Sequence, residues 1–203
     1  MQVIMIAGKA GSGKTTLANI LSKHVYNHGL VPVLASFAGP LKEEAAAKGY
    51  DKVQFPEKYR EFCQHLGATA REGDPDHWVN LMQVRMVDIR EKEAVSIDRS
   101  DKYWERCVII DDCRYLNEIN LGIETNATIL FLTTGKRKLE EHEWRAHESE
   151  LLATNVELGD KDLLAMFDHL VFNDNNPEHL EKRIARMVPI WCGLEARDDD
   201  ENE

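Results

Sequence analysis

Gly8 to Thr15 read Gly-Lys-Ala-Gly-Ser-Gly-Lys-Thr, which satisfies G-x-x-x-x-G-K-[ST] at every position. The chemistry such a stretch can do is to bind phosphate. Gly8, Gly11 and Gly13 supply backbone dihedrals that a side chain would forbid, so successive N–H groups, those of Ala10, Ser12 and Thr16 among them, can converge on an anion. A helix beginning near Lys14 presents its positive end to the same anion. Lys14 then reaches the β- and γ-phosphates, and the Thr15 hydroxyl is placed to ligate Mg²⁺.

A second acidic element is Cys-Val-Ile-Ile-Asp-Asp at 107–112. A carboxylate at the end of a strand beside the loop would hold Mg²⁺ directly or through water. Successive strand residues point to opposite faces, so one of the two aspartates is expected to face the metal. Four apolar residues followed by an acid select Asp111.

Basic residues for a second anion site lie at Arg60 and Arg71, flanking the helical stretch YREFCQHLGATAREGD, and at Lys136, Arg137, Lys138 and Arg145. The second cluster follows a strand and is expected to fold over the phosphates, excluding water. No [NT]-K-x-D motif and no D-x-x-G after the second acidic strand is present, which disfavours a guanine-nucleotide switch. The length disfavours an oligomeric motor. His142, Glu143 and His147 resemble a zinc-protease helix at first sight. Their histidines are five positions apart, however, about 140° around a helix and not on one face.

These groups must be positioned by a core. Gln2–Ala7 reads as a buried strand, Lys14–His28 as a helix with Leu17, Ile20, Leu21 and Val25 on one side, and Gly29 as its stop. Val31–Phe37 reads as a second strand. Leu41–Lys48 is a helix by propensity. Glu57–Glu93 is mostly helical with a break at Gly73–Asp76. Cys107–Ile110, Thr128–Leu132 and His169–Phe172 are further strands, and Pro177–Val188 is a closing helix. Short apolar strands alternating with helices predict an α/β fold. It is expected to be a three-layer sandwich with a mostly parallel sheet covered on both faces, and ligands at the carboxyl ends of its strands.

The 203 residues, with 43% hydrophobic, suffice for one domain, expected over 1–190 with a helical insertion about 40–100 and a lid about 135–150. Residues 195–203 form an acidic tail expected to be disordered. Twenty-five Lys and Arg against 36 Asp and Glu give −11, which argues against a nucleic-acid polymer or an anionic membrane as partner. No apolar stretch approaches the ~20 residues of a membrane span. A soluble, cytoplasmic protein is expected, in the host cytoplasm if the source is viral. Cys63, Cys107, Cys113 and Cys192 form no CxxC pair and read as isolated reduced thiols.

Six segments carry a resemblance that spans nearly the whole chain. They are GKAGSGKT, SFAGPLKEEAA (36–46), REFCQHLGATAREGDPDHWVN (60–80), DCRYLNEIN (112–120), HESE (147–150) and FDHLVFNDNNPEHLEKRI (167–184). In this order they resemble the deoxynucleoside monophosphate kinases of tailed bacteriophages and related P-loop nucleoside-monophosphate kinases. The resemblance implies transfer of the ATP γ-phosphate, with Mg²⁺, to a deoxynucleoside monophosphate. It sets Asp112, Arg114, Asn117 and Glu118 on the family's D-x-R-x-x-N-E element and so takes Asp112, not Asp111, for the metal beside Thr15. It places Arg60, Gln64 and Arg71 in the acceptor site, bordered by Phe37, Pro40, Lys42 and Trp78, and it sets Asn173 and Asp174 beside the donor adenine. The chain departs from the family at Ala68 and at Tyr115-Leu116. Relatives are often dimers, which leaves monomer and homodimer both open.

The mechanism this implies has the loop and Lys14 on the donor phosphates and Arg71 and Arg114 on the acceptor phosphate. Either Arg137 or Arg145 covers the transferring group. A kinase of another small phosphorylated metabolite is the alternative within enzymes. A P-loop ATPase or binding module is the alternative outside phosphoryl transfer to a metabolite.

Overall fold

The computed structural model describes residues 1–99, 105–134 and 147–194, with backbone alone over 93–99. Arg137, Arg145, the rest of the expected lid through residue 146 and the acidic tail lie outside the described residues. The described strands are β1 (Gln2–Ala7), β2 (Val31–Ala35), β3 (Arg106–Cys113), β4 (Thr128–Thr133) and β5 (His169–Phe172). They form one sheet in the order β2-β3-β1-β4-β5, and every neighbouring pair is parallel.

Strict alternation along β1 builds a core on each face. Val3, Met5 and Ala7 point to one side, where they meet Val108, Ile110, Ile129 and Phe131. Ile4 and Ile6 point to the other, with Ile109, Leu130 and Leu132. Helices α1 (Lys14–Asn27) and α8 (Pro177–Trp191) cover the second face through Leu17, Leu21, Val25, Leu180, Ile184 and Val188. The first face takes α2 (Gly39–Ala47), α4 (His77–Arg99) and α5 (Leu116–Glu124), together with α6 (Leu151–Glu157). The one crossover that travels from β1 toward β2 uses α1. Those that travel toward β5 use helices of the opposite face, as a constant crossover hand requires. The protein is an α/β three-layer sandwich.

α3 (Pro56–Gly73) differs from the rest: Gly67 is its only buried residue. Its half-buried side chains Cys63, Leu66 and Ala70 pack against the margin of the first core. α6 is preceded by a 3₁₀ turn, Glu148–Glu150, and followed by α7 (Lys161–Leu164).

Two boundaries moved for physical reasons. β3 does not end at Ile110 but runs through both aspartates, with an irregularity: Met5 pairs with Ile110 while Ala7 pairs with Cys113. One extra residue is thereby accommodated at Asp111-Asp112, a β-bulge. α8 continues past Val188 through Pro189, because Trp191 is buried against the second core and Leu194 N–H closes on the Pro189 carbonyl at 2.8 Å. All four cysteines are free thiols. Cys107 and Cys192 are in hydrogen-bond contact and so are not isolated. Among the described residues, no helix is long and apolar enough to cross a membrane.

Candidate active site

The β1–α1 connection is a cradle of exposed amides. Gly13 caps α1 with φ +101° and without a side-chain hydrogen bond, and the first turn of α1 carries no acid. The helix therefore starts with unsatisfied N–H groups and an uncompensated positive end. The cradle is held from outside by a second loop: Asn173 Nδ2 donates to the Ser12 carbonyl at 2.8 Å. A Cβ at Gly13 would fall 2.6 Å from that same nitrogen, and one at Gly8 would fall 2.4 Å from the Leu132 carbonyl.

Lys14 is 7% exposed. Its ammonium donates to the carbonyls of Gly8 at 2.5 Å and Lys9 at 2.8 Å, folding back on the loop that precedes it. Burial, reinforced by the Arg114 guanidinium, pulls its pKa down to about 8. Its hydrogen bonds go to neutral carbonyls, and the nearby carboxylates of Glu150, Asp112 and Asp111 offset its burial only in part.

Both aspartates of β3 line the same cavity as the loop, at the carboxyl end of the strand. They do different things there. The Thr15 hydroxyl donates to Asp111 Oδ2 at 2.8 Å. Asp112 instead accepts from the Ser36 hydroxyl, from Phe37 N–H at 2.9 Å and from Ala38 N–H at 3.0 Å. Lys42 Nζ stands 3.5 Å from it. The apolar count had selected Asp111 for the metal and the resemblance Asp112; it is Asp111 that bonds to Thr15, while Asp112 holds the β2–α2 turn.

The cavity of ≈ 490 Å³ extends from Ala10–Thr16 past the aspartates to a second lobe lined by Phe37, Lys42, Arg60, Gln64, Arg71 and Trp78. Its size is that of a small-ligand site, ~300–1,000 Å³. Arg71 is fixed in this lobe by three contacts. Its Nη1 donates to the Gly67 carbonyl at 3.1 Å, its Nη2 lies 3.4 Å from Glu118 Oε1, and its guanidinium stacks 3.7 Å from the Tyr115 ring. Trp78 Nε1 donates to the same Gly67 carbonyl at 3.3 Å. Glu118 is 2% exposed and accepts from the N–H groups of Arg114 and Tyr115 at 2.7 and 3.1 Å. Burial nevertheless raises its carboxyl pKa to about 7.

The sequence-derived residues thus divide. Ala10, Gly11, Gly13, Lys14, Thr15, Thr16, Phe37, Lys42, Arg60, Gln64, Arg71, Trp78, Asp112, Arg114 and Glu118 are brought together around one cavity. Gly8, Ser12 and Asn173 support the loop from behind. Asn117 and Asp174 are not at the cavity. Asn117 Nδ2 ties α5 to the Pro75 carbonyl and Asp76. Asp174 accepts from Asn176 N–H and contacts His179, facing α8. Asp174 is thus taken up by its own turn, whereas Asn117 is taken up by the distant turn between α3 and α4.

Sequence reasoning missed three participants. Ser36 and Tyr115 act only through Asp112 and Arg71. Glu150, within the HESE segment, accepts from Ala10 N–H at 2.8 Å and from Arg114 Nη1. No spacing rule links positions 140 apart. His147, dismissed as a zinc ligand, lines the cavity and accepts from Ser149 N–H at 3.2 Å, capping the 3₁₀ turn. Among the described residues no cluster of three or more His, Cys, Asp or Glu could hold a metal alone.

No protein-family model and no curated protein matches the chain. One similar solved structure, described as "Crystal structure of APE1195", aligns at 15% identity over 93% of this chain and 95% of its own, with a TM-score of 0.38. A likeness that weak bears on neither mechanism nor substrate.

Proposed function

We propose that the protein transfers the terminal phosphoryl group of ATP to a deoxynucleoside monophosphate, giving ADP and the deoxynucleoside diphosphate. The observation that carries this reading is the two-lobed cavity: a phosphate loop opens directly into a second lobe with Arg71 held rigidly and Arg60 beside it. A protein that only hydrolysed ATP has no use for the second lobe. The choice of a deoxynucleotide as acceptor rests on the sequence resemblance.

The residues fit the groups this reaction needs. The uncapped start of α1 and Lys14, whose hydrogen bonds go to neutral loop carbonyls, suit a polyphosphate. Thr15 and Asp111 offer adjacent hard oxygen donors, and the small number of protein ligands suits Mg²⁺, which keeps most of its waters. Bound Mg²⁺ would offset the charge that develops on the phosphate oxygens. Within the chain, Lys14 and the loop amides hold the donor, and Arg114 stands between the lobes. Arg71, its rotamer set by Gly67, Glu118 and Tyr115, orients the acceptor phosphate. Such positioning is most of what phosphoryl transfer asks of a protein.

The test is ADP release from ATP and Mg²⁺ in the presence of a panel of monophosphates. Release stimulated by deoxynucleoside monophosphates is the expected result. Stimulation only by another phosphorylated metabolite transfers the assignment to that acceptor. Release indifferent to every acceptor leaves an ATPase and defeats the proposal.

A further inference from the structure

Glu150 ends the 3₁₀ turn ahead of α6 and is 3% exposed, although it is charged and lies at a cavity wall. Both carboxylate oxygens are used. Oε2 accepts the Ala10 amide of the phosphate loop at 2.8 Å, and Oε1 accepts Nη1 of Arg114. These two donors follow different strands, β1 and β3, and converge on one carboxylate. An amide and a guanidinium left there without an acceptor would both be penalised, so a carboxylate satisfies them when no ligand does.

The same two donors are what a phosphoryl group would use. The inner phosphates of a nucleotide belong at the helix end of the loop, with Gly13 to Thr16 and Lys14. Ala10 lies on the other limb of the loop, and Arg114 stands toward the second lobe. The point they share is therefore the place of the outermost phosphoryl group. A carboxylate and a phosphoryl group cannot both hold these donors, because like charges repel strongly where water is scarce.

We propose that Glu150 is a specificity-determining residue: an internal carboxylate that occupies the terminal-phosphoryl position, so that a nucleoside triphosphate must displace it and a nucleoside diphosphate need not. This rests on the phosphate-loop reading above. The affinity of the triphosphate is lowered by the fraction of molecules in which Glu150 holds its donors. The diphosphate escapes that reduction. After transfer the carboxylate returns to Ala10 and Arg114, so their donors are never left open to water.

The experiment is calorimetric titration of the full chain with β,γ-methylene-ATP and with ADP, for the unaltered protein and for Glu150→Gln, which keeps the shape and removes the charge. The expected result is triphosphate affinity raised about tenfold or more in Glu150→Gln with ADP affinity changed less than about twofold. Equal gains for both nucleotides, or weaker triphosphate binding, overturn the proposal while leaving the phosphate loop in place. No binding of either nucleotide to the unaltered protein overturns both readings. Should Glu150→Gln fail to fold, the unaltered protein decides by NMR. The Ala10 amide and the Glu150 carboxyl carbon should shift with the methylene analogue and hardly with ADP. Equal shifts with ADP overturn the proposal.

Discussion

The Thr15 hydroxyl and the Asp111 carboxylate, 2.8 Å apart, join the first turn of α1 to the end of β3, while Asp112 next door is spent on the turn after β2. The two adjacent acids therefore have separable roles. Asp111→Ala should lower turnover by about 100-fold or more and shift its Mg²⁺ dependence. Its stability should stay within about 1 kcal/mol of the parent, since one exposed hydrogen bond is lost. Asp112→Ala removes the acceptor of three donors and should cost about 2–4 kcal/mol. Urea melts and Mg²⁺ titrations of the two variants check this, and interchanged results would return the metal to Asp112.

Lys14 makes the empty fold less stable than it could be. Its folded pKa, about 8, lies below the ordinary lysine value of 10.5, so the folded state binds fewer protons between those values. The cost is full below pH 8 and disappears as pH rises to 10.5. Its size is about 3 kcal/mol. Lys14→Met should therefore melt no lower than the parent at pH 7 while losing polyphosphate binding. A melt more than a few degrees lower would show that the bonds to Gly8 and Lys9 outweigh the desolvation.

The same group links nucleotide binding to protons. A phosphate beside Lys14 raises its pKa, so binding near pH 8.5 should take up part of a proton, and affinity should fall as pH rises through 8. Calorimetry in buffers of different ionisation enthalpy reads this directly. Proton release on binding would contradict it.

Glu118 works in the opposite sense for an acid. Its folded pKa, about 7, lies above the ordinary glutamate value of 4.5. The penalty is absent below pH 4.5, grows as pH rises, and is complete above 7, amounting to about 3 kcal/mol. Glu118→Gln keeps an acceptor for the Arg114 and Tyr115 amides. Relative to the parent it should gain stability between pH 5 and 8, while an amide nitrogen facing Arg71 raises the acceptor KM. Denaturation at pH 5, 6, 7 and 8 measures the difference, and parallel curves for the two proteins would refute it.

Arg71 is held by a planar stack on Tyr115 and by a fork toward Gly67 and Glu118. Lysine can reproduce neither. Arg71→Lys should raise the acceptor KM by about tenfold or more, with ATP affinity little changed. Tyr115→Leu should do the same more weakly. Unchanged acceptor KM in both would remove the second lobe from the reaction.

Much of this site could be read in advance because it is local. The loop from Gly8 to Thr15 is contiguous, and its glycines, lysine and threonine act within a few residues of one another. The buried strands announced themselves as apolar runs, and β5 was placed to the residue. Arg71 was read as a second-site cation from its place on a helical stretch and Trp78 through a resemblance, and the cavity brings both to the loop. Asn117 and Asp174 do not line the cavity, since their side chains bond to the α3–α4 turn and to the turn before α8, and residue type alone does not separate such uses from ligand binding.

Local order along the chain determined where phosphate would bind, since backbone amides and a helix start need only neighbouring residues to form. Tertiary structure decided between Asp111, which the apolar count selected, and Asp112, which the resemblance selected, by giving the Thr15 hydroxyl to Asp111 and the β2–α2 turn to Asp112. It alone brought Glu150 to Ala10 across 140 positions. Burial decided the charges of Lys14 and Glu118, because desolvation depends on everything packed around a group and not on what precedes it in the chain.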